Sequence, residues 1–156
     1  MIHLTYEQLI DEAFNNDMIV KEVNFESSSK GLIKENRIGI HKGISTSTEK
    51  ACILAEEIGH YFTTYGDILD QTKTDNRKQE KRARNWAYKK LLPLDKLIEA
   101  YETGVRNRFE LALYLDIIEE FVDGAIDYYK EKYGLYCVKG NYIIYFDPFG
   151  IYKKIE

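Results

Sequence analysis

One segment constrains the fold of this chain more than any other, the stretch from residue 46 to residue 64. Thr46 and Glu49 have the spacing of a capping box, which predicts that a helix begins there. Successive residues of an α-helix are turned by about 100°. The apolar side chains that then share one face are Ala51, Leu54, Ala55, Ile58, Tyr61 and Phe62. We therefore expect this helix to be central to the fold, with that face against the core.

The other side of the same helix carries polar side chains in the pattern Glu56-Glu57-Ile58-Gly59-His60. Glu56 and His60 are four residues apart, so both can reach one metal ion, while Glu57 beside them can hold a water molecule. The pattern is a near match to the metalloprotease motif His-Glu-x-x-His, with Glu in place of the first His. In that motif the Glu after the first ligand activates a metal-bound water. The alternative is the solvated face of an amphipathic helix.

The glutamate at the first motif position changes the expected chemistry. A carboxylate oxygen is an acceptable zinc ligand, but it makes the site one charge more negative than an imidazole would. We therefore expect weaker hydrolysis, or a preference for another divalent ion. Asp67 and Asp70, in the predicted loop 65–75, are alternative ligands if Glu56 does not bind. Gly59 indicates close packing, because a glycine inside a helix costs about 1 kcal/mol relative to alanine.

A third ligand is expected on the next predicted helix, because catalytic zinc has three protein ligands. The side chains that share one side of that helix are Glu80, Ala83, Arg84, Ala87 and Leu91. The two alanines allow tight packing against another helix. Glu80 lies at the margin of this side, and its partner is either Arg84, four residues on, or a metal ion held with His60.

The rest of the sequence predicts an α+β fold dominated by helices. A capping box at Thr5 and Gln8 begins a first helix, and alternating segments within residues 18–41 predict a small antiparallel sheet before the motif helix. Helices follow to about residue 133, and Lys139-Gly140-Asn141 indicates a C-terminal β-hairpin. We expect one domain over residues 1–156, made of an N-terminal helix and sheet (1–45), the motif helices (46–93), a helical part (94–133) and a hairpin tail (134–156).

Composition disfavours several classes of protein. The two cysteines, Cys52 and Cys137, are too few and too distant for a disulfide scaffold, which favours a reducing compartment. No segment approaches the ~18 apolar residues of a membrane span, and the N-terminus has acids and no basic stretch, so we expect neither a span nor a signal peptide. The net charge of −4 disfavours nucleic-acid binding, and we interpret the basic segment 73–90 as a solvated helix face. A cytoplasmic protein is expected.

Three stretches of the sequence occur in an order that is typical of one family. They are CILAEEIGHYF at residues 52–62, Glu80-x-x-Ala83 with Asn85-Trp86-Ala87, and Leu91-Leu92-Pro93. Together they resemble the ImmA/IrrE family of zinc metallopeptidases, which shows His-Glu-Leu-Gly-His-Tyr, then Glu-x-x-Ala-Asn-x-Phe-Ala, then Leu-Leu-x-Pro. The resemblance implies a zincin-like fold, with zinc ligands at Glu56, His60 and Glu80 and Glu57 as the general base. Position 56 departs from the family, which has His there.

The resemblance also implies a biological role. Members of the family are often encoded by phages or mobile elements, and they act on helix-turn-helix repressors to lift repression. The first hypothesis is therefore a zinc endopeptidase that acts on a repressor-type protein. The alternative, favoured by the altered Glu56, is a pseudo-peptidase that regulates a repressor or toxin by binding it. A DNA-binding regulator is disfavoured by the net charge.

Overall fold

The computed structural model of the chain describes residues 4–64 and 73–155. Contacts divide the chain into two compact units, which we call the N-terminal unit (residues 4–91) and the C-terminal unit (residues 92–155). The single domain expected from the sequence stays a prediction. The helix-dominated α+β class is confirmed. Among the described residues, no helix combines the length and the apolar character that crossing a membrane requires.

The N-terminal unit begins with helix α1 (Tyr6–Asn15), which starts at the predicted capping box. The backbone N–H of Gln8 donates to Thr5 Oγ1 at 3.2 Å, and the backbone N–H of Thr5 donates to Gln8 Oε1 at 2.9 Å. These bonds satisfy amide groups that the first turn of a helix leaves without a partner. Leu9 and Ala13 of α1 are buried in the core.

A three-stranded sheet follows, formed by β1 (Ile19–Val23), β2 (Gly31–Lys34) and β3 (Arg37–His41) in the order β1-β3-β2. β2 and β3 are antiparallel, as predicted, but β1 runs parallel to β3, so the expectation of a wholly antiparallel sheet is wrong for β1. β3 is the central strand because Ile38 and Ile40 are buried, so β1 pairs with β3 and not with β2, its neighbour along the chain. β1 and β2 are mostly exposed and take the two edges.

Helices α2 (Ser47–Thr64) and α3 (Lys73–Leu91) complete the N-terminal unit. The predicted start of α2 is confirmed, because the N–H of Glu49 donates to Thr46 Oγ1 at 3.2 Å. The residues of its predicted apolar face that are buried are Ala51, Leu54, Ala55 and Ile58. Phe62, at the end of that face, is 45% exposed and stacks on Trp86 of α3.

The C-terminal unit contains α4 (Leu94–Glu102), α5 (Arg108–Leu115), α6 (Glu119–Tyr133) and a sheet of β4 (Tyr136–Lys139), β5 (Tyr142–Phe146) and β6 (Phe149–Lys153). The predicted hairpin of β4 and β5 is present, and β6 adds a third antiparallel strand. Phe149 pairs with Phe146, so a tight turn joins β5 to β6.

Candidate metal centre

The site lies within the N-terminal unit and is positioned by a close approach of α2 to α3. A Cβ atom added to Gly59 would lie 2.5 Å from the backbone oxygen of Ala83, so only glycine allows this separation. Ala83 and Ala87 are fully buried in the contact. His60 follows Gly59 on α2, and Glu80 comes three residues before Ala83 on α3. The small residues therefore bring these two side chains together, and the close packing predicted at Gly59 is confirmed.

Three of the predicted site residues converge. His60 Nε2 lies 3.2 Å from Glu80 Oε1, and Glu56, His60 and Glu80 each offer one ligand atom such that all three atoms lie within 4.8 Å of one another. Ligand atoms bound to zinc at about 2.0–2.2 Å in tetrahedral geometry lie about 3.4 Å apart. The His60–Glu80 pair already has this spacing, and small side-chain rotations would bring Glu56 to it. The donor set fits a divalent cation.

The chemistry of the donors narrows the choice of ion. One imidazole nitrogen and two carboxylate oxygens suit zinc as well as manganese or iron, which accept harder ligands. The side chain of His60 is 13% exposed and that of Glu80 is 49% exposed. The group is therefore walled by protein on one side and open on the other, as exchange of water or substrate at an ion requires.

Glu57 does not belong to the ligand group but lies beside it, partly buried between α2 and the sheet. A Cβ atom added to Gly31, the first residue of β2, would lie 3.1 Å from both Cγ and Oε1 of Glu57. Burial, and then the charges of Glu56 and Glu80, raise the pKa of Glu57 to about 7. A carboxyl group of this kind exchanges a proton near neutral pH, as a general base must.

Arg84 was assigned by sequence reasoning as the alternative partner of Glu80, and the structure gives it a different one. Its Nε–H donates to Glu56 Oε1 at 3.3 Å, from α3 to α2. Glu80 is left facing His60. Helical spacing could not reveal this pairing, because it joins two elements whose separation depends on Gly59.

His41, a histidine near the start of the motif helix, is not part of the ligand group. His41 ends β3, where its Nδ1 accepts from the N–H of Gly43 at 2.8 Å and its ring packs edge-on against Phe25. It is a hydrogen-bonded histidine at the end of a strand. Asp67 and Asp70 lie outside the described residues, so their role as alternative ligands stays a prediction.

Comparison with known proteins gives one match. The family model described as the IrrE N-terminal-like domain (Peptidase_M78) matches residues 8–126, which include every residue of the candidate centre. No curated protein and no solved structure matches the chain. The matched region begins in α1 and ends within α6, so the C-terminal sheet lies outside it.

Proposed function

Since the chain belongs to the IrrE N-terminal-like peptidase family, we propose that it is a metal-dependent endopeptidase. Glu56, His60 and Glu80 are the proposed ligands of one divalent ion, and Glu57 is the proposed general base. The observation that carries the proposal is the convergence of three ligand atoms within 4.8 Å from two different helices. The two carboxylates of Glu56 and Glu80 repel each other when no cation lies between them, and a divalent ion bound by both would remove that repulsion.

The protein groups have distinct tasks in this proposal. A divalent ion bound there would polarise the peptide carbonyl and make water more acidic. Glu57 takes a proton from the attacking water as the water oxygen bonds to the carbonyl carbon. When the carbon–nitrogen bond breaks, Glu57 returns that proton to the departing amine. Its place next to Glu56 in the chain, and against Gly31 of β2, restricts the orientations from which it can do so.

The proposed ion is zinc, as in the family that the sequence resembles, with manganese or iron as the alternative that two carboxylate ligands favour. The proposed substrate is a repressor-type protein of a phage or mobile element, met in the cytoplasm. This part rests on the family resemblance alone. It would be tested by incubating the purified chain with the repressor encoded beside it and looking for defined fragments.

A second function is favoured by one observation, the ion pair of Glu56 with Arg84. A ligand already held by a cation could mark a centre that no longer binds metal. The chain would then regulate a repressor or toxin by binding it. The two functions differ in whether the isolated protein takes up a divalent ion.

The deciding experiment is calorimetric titration of the metal-free protein with Zn²⁺ and, separately, Mn²⁺. We expect one site per chain, lost on Glu80→Gln and kept on Glu57→Gln. Glu57→Gln should abolish peptide cleavage, because glutamine cannot accept the proton. Glu49→Gln, on the same helix but outside the ligand group, is the matched control and should bind like the wild type. Equal binding by wild type and Glu80→Gln, or none by either, would contradict the proposed centre.

A further inference from the structure

The ligand group carries one negative charge more than it would with histidine at position 56. Glu56 and Glu80 contribute two charges, while His60 is neutral when it binds a metal. We infer that Arg84 is a built-in counter-ion for Glu56, a residue that sets how strongly the centre holds a divalent cation. The inference rests on the proposed metal site and adds to it a residue outside the ligand group.

The pairing pattern supports a specific role for Arg84. Glu80 is four residues before Arg84 on α3, a spacing that favours an ion pair along one helix. The guanidinium nevertheless crosses to α2 and lies 3.3 Å from Glu56 Oε1, whereas Glu80 Oε1 lies 3.2 Å from His60 Nε2. In the part of the chain that the structure describes, Glu56 thus pairs with Arg84, and Glu80 pairs with His60. The cation lies against the one carboxylate that occupies a motif position where histidine is typical.

This arrangement has two consequences for a divalent ion. The ion must share Glu56 with a positive charge that already occupies one of its oxygens, so Arg84 competes with it. Arg84 also repels the ion directly, because both are cations within a few ångströms of the same carboxylate. The Arg84 side chain is 55% exposed, so solvent and salt weaken the repulsion without removing it. Arg84 should therefore weaken binding by about tenfold at low ionic strength.

The positive charge of Arg84 should stabilise the folded protein when no ion is bound. Without Arg84, the carboxylate of Glu56 would lose the cation that it pairs with and would lie near the carboxyl groups of Glu57 and Glu80. The metal-free form should then melt about 2 °C lower, and an added ion should raise its melting temperature by more than it does for the wild type. Tighter binding and a less stable metal-free form would thus appear together.

The test is the affinity of Arg84→Met for Mn²⁺ and Zn²⁺, measured by calorimetry at low and at high salt. Methionine keeps the length and apolar stem of the side chain but removes its charge. We expect binding about tenfold tighter than wild type at low salt and a smaller difference at high salt. Arg84→Lys should stay within about threefold of wild type, since it keeps the charge. Arg82→Met, an exposed arginine on the same helix without a contact to Glu56, is the matched control.

The results separate this inference from the proposed function. Unchanged or weaker binding by Arg84→Met, with normal binding by the wild type, would overturn the counter-ion role alone. An equal gain in Arg82→Met would also overturn it, because the effect would belong to the general charge of α3. Absence of binding by the wild type would overturn both the centre and the counter-ion. Melting temperatures of the metal-free variants give a readout that does not depend on peptide cleavage.

Discussion

Replacing Gly59 by alanine would open the contact that builds the centre. The new Cβ atom would lie 2.5 Å from the backbone oxygen of Ala83 and 3.2 Å from its carbonyl carbon. Favourable contacts between such atoms lie at about 3.5 Å or more, so the two helices would have to move apart by about 1 Å. The obstacle is backbone, which no change of rotamer can remove. Glu80, one turn away on α3, would move with it.

The expected energies follow from these contacts. Alanine gains about 1 kcal/mol over glycine in a helix, while overpacking a well-filled contact costs about 1–3 kcal/mol. Because the clash is with backbone, we take the upper part of that range and expect a net loss of about 1–2 kcal/mol in the free energy of unfolding. A ligand displaced by about 1 Å no longer meets its partner, so divalent-ion affinity should fall by at least about tenfold.

Urea denaturation and calorimetric titration with Mn²⁺ would measure both effects of Gly59→Ala. Ala87→Gly is the matched control, since it loosens the same helix pair by removing a buried methyl group instead of adding one. It should lose similar stability, about 1–2 kcal/mol, yet keep its ion affinity within a few-fold, because nothing pushes α3 away. If Gly59→Ala is as stable as the wild type and binds the ion equally well, the close approach does not position the centre.

Two further predictions concern the sheet and the C-terminal unit. In Gly31→Ala the added Cβ would lie 2.7 Å from a methyl group of α2 and 3.1 Å from Glu57, so peptide cleavage should fall at least several-fold while ion affinity stays near wild type. Gly39→Ala is the control, since the atom nearest to its added Cβ would be a methyl group of Val23 in β1. Equal loss of activity in both variants would refute a role for Gly31 in positioning Glu57. Tyr129 donates to the backbone oxygen of Leu92 at 2.7 Å, and Tyr129→Phe should lose about 1 kcal/mol of unfolding free energy at neutral pH. Burial raises the pKa of Tyr129, so its contribution to the free energy of unfolding is complete below the unfolded pKa of about 10 and is lost as pH rises beyond it. Urea denaturation at pH 8 and above pH 10 should therefore show a smaller loss of stability at alkaline pH in the variant than in the wild type.

The parts of the fold that the sequence predicts well are those fixed by a local period. The start of α2 and the burial of Leu54 and Ile58 follow from a capping pattern and a repeat of 3.6 residues, both of which act within one element. Strand order is different. β1 could pair with β2 or with β3, and the outcome depends on which strand is most buried in the finished core. Alternation along the chain identifies strands but does not choose their neighbours.

The same distinction applies to the candidate centre. Glu56 and His60 meet because they are four residues apart on one helix, so their proximity is a property of the sequence. Glu80 and Arg84 reach them from another helix, and their distances depend on how closely that helix packs. A signal was present in Gly59 and the two alanines of α3, which indicate a short interhelical separation. It indicates that the helices touch, but it does not decide which carboxylate Arg84 pairs with.

The pairing of Arg84 also changes how the glutamate at position 56 should be judged. Considered alone, Glu56 replaces a neutral ligand by a charged one, which argues for a damaged centre. Considered with Arg84, at 3.3 Å, the pair contributes no net charge, as an imidazole contributes none. The charge at this position is then balanced by two side chains from different helices, Glu56 of α2 and Arg84 of α3, whereas a histidine would be neutral by itself. Because the Arg84 side chain is exposed, salt screens its charge. A neutral imidazole at position 56 would carry no charge for salt to screen. A gain in ion affinity from Arg84→Met that is larger at low salt than at high salt is thus the result that identifies a centre whose charge Arg84 balances.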